Sequence, residues 1–125
     1  MLNTILPISI GAVAGALSRH YLSVFIYSMF VGAFPLGVLV CNVFGSFLMG
    51  AFVELSGKLF EVNEVTRLFV VTGFLGAFTT FSTFSLETFA LLHRGQLGLA
   101  LLYVLVSVCV SVIALYFGMF LFRGL

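Results

Sequence analysis

Apolar residues along the chain fall into four long stretches, each near the roughly 20 residues that a bilayer crossing requires. The first runs from about Ile5 to Tyr27 and the second from about Leu36 to Leu55. The third runs from about Arg67 to Leu92 and the fourth from about Leu97 to Phe122. Gly32-Ala33-Phe34-Pro35 separates the first two, since proline cannot continue a helix and the residue before it avoids the helical region. The segment Glu54 to Arg67 collects five of the nine formally charged residues and reads as an aqueous loop. The pattern predicts an all-α membrane protein with four transmembrane helices in one domain, residues 1–125.

Small and polar positions inside the spans recur at helical spacing. Gly11 and Gly15 in the first span, and Ser46 and Gly50 in the second, stand four apart and let another backbone approach closely. Tyr103, Ser107 and Ser111 take successive four-residue steps, a polar stripe on one face of the fourth span. The third span is the least ordinary. From Thr72 to Ser85 it holds two glycines, four phenylalanines and six hydroxyl residues, five of them (Thr79, Thr80, Ser82, Thr83, Ser85) in the last seven positions. Glycine and clustered hydroxyls loosen a helix, because side-chain oxygens compete for backbone hydrogen bonds. In lipid, backbone that leaves the helix is tolerated only against protein or a water-filled cavity. This stretch therefore faces the inside of an assembly and is the first place to look for function.

Composition excludes a soluble domain: 62% of the residues are hydrophobic and 7% charged, against about 25% charged in soluble proteins. A net charge of +1 gives no basic surface for nucleic acid. Met1 to Gly11 has no lysine or arginine, so the first segment is read as a retained span rather than a secretory signal. Cys41 and Cys109 lie in apolar stretches far from any metal spacing and are expected as small apolar thiols in packed helices. With four spans, Lys58, Arg67 and Arg123 fall on one side of the membrane and Arg19 and Arg94 on the other. So slight a bias lets a small protein insert both ways round, which makes an antiparallel dimer physically plausible.

Few residues carry candidate chemistry. Asn42 is the amide in the middle of a span: it is either helix-to-helix glue, the favoured reading on the residues alone, or a donor to a permeating anion. Glu87 either reaches the interface or serves function, and Arg19 either snorkels or pairs with a carboxylate or exposed carbonyls. Phe74, Phe78, Phe81 and Phe84 follow 4-3-3 steps along one helical face. Such a stripe is usually packing, but positive ring edges can also line an anion path. His93 and Arg94 are read as interfacial. No carboxylate pair, Ser/His/Asp set or His/Cys cluster has catalytic or metal spacing, so an enzyme is not expected.

The run Thr72-Gly-Phe-Leu-Gly-Ala-Phe-Thr-Thr-Phe-Ser-Thr-Phe-Ser85 resembles the motif of the Fluc/CrcB fluoride channels. The likeness extends to Gly11-Ala-Val-Ala-Gly-Ala-Leu-Ser-Arg19, Gly37-Val-Leu-Val-Cys-Asn42, Ser85-Leu-Glu87 and Tyr103-Val-Leu-Val-Ser107, in order across all four spans. It implies a dual-topology antiparallel homodimer with two pores, set in lipid in the cell's inner (plasma) membrane and exporting fluoride passively to relieve its toxicity. It also implies a third helix broken near its middle and a central sodium ion held there by backbone carbonyls, at Gly76 and Thr79 by motif position. By the same match Phe81 and Phe84 line the fluoride path with Asn42, and Ser82, Thr83, Tyr103 and Ser107 are its polar lining. Arg19 matches the arginine of the first helix and Glu87 the acid near the pore mouth.

Two other classes share part of this pattern. Small multidrug or cation exporters are also four-span proteins that form antiparallel dimers, but they rely on a glutamate in the first span, which has no acid here. A non-transporting assembly factor explains the glycine spacing but neither the third-span hydroxyls nor the fourth-span stripe.

Overall fold

The computed structural model describes residues 1–30, 32–58 and 62–124. Helix α1 spans Leu2–Met29 and α2 Leu36–Lys58. The third crossing is composite: α3 (Glu64–Arg67), a π-helix (Leu68–Leu75), α4 (Gly76–Phe78) and α5 (Phe81–His93). Helix α6 is Leu97–Phe122. Four helical stretches are thus long and apolar enough to cross a membrane. The stretch expected as a loop from Glu54 to Arg67 is helical at both ends, while residues 59–61 lie outside the described residues. Charge is compatible with a helix start there. Asn63 caps α3 by accepting from Thr66 N–H at 2.8 Å, and Glu64 in the first turn and Arg67 in the last suit the helix dipole.

Glycine decides how the spans meet. Helices α2 and α6 form the most extensive pair, and α1 against the π-helix the next. A Cβ on Gly50 would stand 2.0 Å from the Leu115 carbonyl oxygen, and one on Gly118 would stand 2.2 Å from that of Phe47. On the other pair a Cβ on Gly11 would meet Phe69 O at 2.4 Å, and one on Gly15 would meet Phe74 O at 2.2 Å. The Gly11/Gly15 spacing is therefore used inside the chain. Ser46, by contrast, lines a groove rather than a helix seam.

The turn from α5 to α6 is fixed by Gly95, whose φ of +73° lets Gly95 N–H reach Leu92 O (2.9 Å) and Gln96 N–H reach Leu91 O (3.0 Å). The enclosed core is small, with Tyr103, Leu75 and Cys41 its largest fully buried side chains. Large apolar side chains cover most of the outside, as lipid requires. Cys109 is on that outer face, a correction to its expected place among packed helices; Cys41 is buried, and neither is in a disulfide.

Candidate functional site

The site begins at two residues of the third crossing that leave helical geometry. Thr79 (φ −84°, ψ 155°) and Thr80 (φ −152°, ψ 122°) are extended. Thr79 still closes the helix before it, with its N–H (3.0 Å) and its Oγ1 (2.9 Å) both donating to Leu75 O. Thr80 cannot use the ladder, and Asn42 of α2 replaces it. Thr80 N–H donates to Asn42 Oδ1 at 2.8 Å, and Asn42 Nδ2 donates to Thr80 O at 3.1 Å. One amide thus satisfies the donor and the acceptor of a buried residue that has left helical geometry. Thr80 Oγ1 in turn caps α5 by accepting from Thr83 N–H at 3.2 Å and donates to Thr83 Oγ1 at 3.1 Å; Ser82 Oγ is 3.3 Å away.

The two extended residues also interrupt helical phase. The four phenylalanines expected on one face separate into two pairs. Phe74 and Phe78 stack (5.8 Å, 7°), with Phe78 buried, whereas Phe81 and Phe84 sit beyond the break at 5.5 Å and 45°. Phe84 is 8% exposed and Phe81 78%.

A groove of about 390 Å³ opens beside the break. Asn42, Ser46, Thr79, Thr80, Phe81 and Phe84 line one part of it, and Ser107 and Ser111 of α6 the other. The hydroxyl oxygens of Ser107 and Ser111 are buried; that of Ser111 has no hydrogen-bond partner within the described residues, and that of Ser107 lies beside the Tyr103 hydroxyl. This contrasts with the third crossing, where Thr79, Ser85 and Thr88 hydroxyls donate to the carbonyls four residues earlier. The groove is thus lined by an amide, several hydroxyl residues and two aromatic rings, with no lysine or arginine.

Not all sequence-predicted residues meet there. Asn42, Thr79, Phe81, Phe84 and Ser107 share the groove. Ser82 and Thr83 are joined to it through the Thr80 hydroxyl, and Gly76 lies exposed on α4. Tyr103 is fully buried behind Phe84 (ring centroids 5.3 Å), and its hydroxyl donates to Glu87 Oε2 at 2.6 Å. Glu87 Oε1 accepts from Tyr27 at 2.7 Å, so the acid is held by two helices. Arg19 is half-buried, and its carbonyl faces the Cys41 thiol at 3.8 Å. Thr80, Ser111 and Tyr27 were not among the candidate residues. Ser111 stood in the fourth-span stripe and Thr80 in the hydroxyl run, whereas Tyr27 carried no local signal.

The model of the family "CrcB-like protein, Camphor Resistance (CrcB)" matches residues 6–119. The chain is 42% identical to the fluoride-specific ion channel FluC of Agrobacterium fabrum, over 100% of this chain and 99% of that one. It is 39% identical to the protein of the same name from Trichlorobacter lovleyi, over 99% of each chain. The counterpart from Magnetococcus marinus is 45% identical over 90% of this chain and 91% of its own. These relatives bear the name of an ion channel, not of an enzyme. Matched along nearly its whole length, the chain belongs to the CrcB family.

Proposed function

We propose that the protein is a fluoride-selective channel that lets fluoride leave the cell passively and so relieves its toxicity. Two copies in opposite orientations form two pores in the inner (plasma) membrane, around one structural sodium ion. The observation that carries this reading is the groove lined by Asn42, Phe81, Phe84, Ser107 and Ser111, where the buried Ser111 hydroxyl has no partner among the described residues. Burying a hydroxyl without a partner costs roughly 1–3 kcal/mol, so one beside a cavity points to something that exchanges hydrogen bonds with it. Fluoride is small and strongly hydrated, and donors must replace its water. The exposed Ser82, beside Phe81 on α5, extends the run of hydroxyls along a surface that a second copy covers.

The sodium ion fits the break. In an unbroken helix the Gly76 carbonyl accepts from Thr80 N–H, but that N–H is given to Asn42. Thr79, being extended, turns its own carbonyl out of the ladder. Gly76 and Thr79 are the residues that would hold the ion, and it would supply a fixed positive charge in spans almost without lysine or arginine.

Fluoride efflux from liposomes containing the purified protein, with chloride-loaded liposomes as control, tests the proposal. Rapid electrogenic efflux of fluoride alone is expected. Fluoride retained by folded, dimeric protein overturns it. Phe81→Ile and Phe84→Ile should each abolish flux while leaving the dimer intact on size-exclusion chromatography.

A further inference from the structure

One polar cluster lies outside the groove. The Glu87 carboxylate is held from two sides, with Tyr27 of α1 donating to Oε1 and Tyr103 of α6 to Oε2. Among the described residues no Cα atom of α1 comes within 8 Å of one in α5 or α6, so the Tyr27 bond joins helices whose backbones do not pack. The reach is built in. Tyr27 lies across α2 at Gly37, where a Cβ would stand 2.7 and 2.8 Å from two atoms of its ring. Tyr103 is pinned in turn, with its hydroxyl on Glu87 and its ring between Phe84 (5.3 Å) and Phe34 (5.6 Å). Phe84 is groove wall. A continuous line of contacts thus runs from Gly37 through Tyr27, Glu87 and Tyr103 to the ring that faces the groove.

We propose that Tyr27, seated in the slot left by Gly37, is a positioning residue for ion passage: it holds Glu87 so that Tyr103 stays fixed behind Phe84. The role rests on the channel reading above. It is carried by one hydroxyl, which donates to Glu87 and also lies within reach of the Val38 N–H in the first turn of α2. Tyr27→Phe removes that hydroxyl and both of its contacts, and the cycle with Glu87→Gln separates the Glu87 bond from the one at Val38. Hydrogen bonds to charged groups are strong enough that its loss should slow fluoride efflux about tenfold.

A flux cycle over Tyr27→Phe, Glu87→Gln and the double variant tests the connection. If Tyr27 acts through Glu87, the double variant is no slower than Glu87→Gln alone. Gly37→Ala should reproduce Tyr27→Phe although it keeps the hydroxyl and touches neither Glu87 nor the groove. Separately from flux, the infrared carboxylate band that Glu87→Gln abolishes should shift in Tyr27→Phe. Wild-type flux in Tyr27→Phe, or losses that multiply in the double variant, overturns the positioning role. An unshifted band overturns the clasp itself. Wild-type liposomes that retain fluoride overturn the channel reading, and with it any role in passage, while the band still reports whether the clasp is made.

Discussion

At the scale of the residue, Asn42 resolves a choice that its type alone left open. Its amide is committed to the backbone of Thr80 through two hydrogen bonds, and it still has one N–H to offer the groove. Substitutions separate this structural role from the proposed one as a donor to the anion. Asn42→Ala leaves the donor and acceptor of Thr80 unpaired and should lower stability by about 2 kcal/mol or more, read as an earlier thermal unfolding transition in detergent. Asn42→Asp keeps an acceptor for Thr80 N–H but sets a negative charge against Thr80 O and toward a passing anion. It should abolish fluoride flux even where folded protein is recovered. The two phenylalanines differ in the same way. Phe84 is buried and Phe81 exposed, so Phe84→Ile should cost roughly 1–2 kcal/mol in unfolding experiments on dissociated chains, and Phe81→Ile little, although both stop flux.

At the scale of the element, glycine sets the distances between helices. Gly50→Ala and Gly118→Ala each drive a methyl group into a carbonyl oxygen of the facing helix, where only backbone can yield. Each should cost about 2–3 kcal/mol in thermal unfolding, while Gly98→Ala, with nothing within 4 Å, should be neutral. The Gly11/Gly15 and Gly50 contacts were legible because four-residue spacing places small residues on one helical face. Ala114 and Gly118 carry the same spacing and could have been found the same way. The ends of α2 and α3 were not legible from charge, since Asn63, Glu64 and Arg67 suit a helix as well as a loop. The glycine and hydroxyl content of the third crossing marked the right neighbourhood. What fixes the extended residues at Thr79 and Thr80 is an amide 38 positions away in sequence, which no local pattern reveals. Tyr27 is 60 positions from Glu87 and was invisible for the same reason.

At the scale of the whole molecule, one chain is an incomplete wall. Phe81 is 78% exposed, Gly76 lies on the surface, and the groove is open along one side. In the proposed assembly a second copy closes this side and keeps the groove's polar groups from lipid. Whether that copy is inverted depends on charge: Lys58, Arg67 and Arg123 against Arg19 and Arg94 give insertion almost no preferred direction. The balance can be tipped either way at exposed positions. His93→Lys with Gly98→Lys adds two positive charges to the Arg19 and Arg94 side, and Asn3→Lys with Gly124→Lys adds two to the other. Each double variant should insert in a single orientation, read by labelling an engineered terminal cysteine with a membrane-impermeant maleimide after Cys109→Ser. If the working unit is antiparallel, neither variant alone conducts fluoride, and the two expressed together restore flux. If either variant conducts at the wild-type rate while all its copies point the same way, the partner that closes the groove is parallel, and the antiparallel pair must be abandoned.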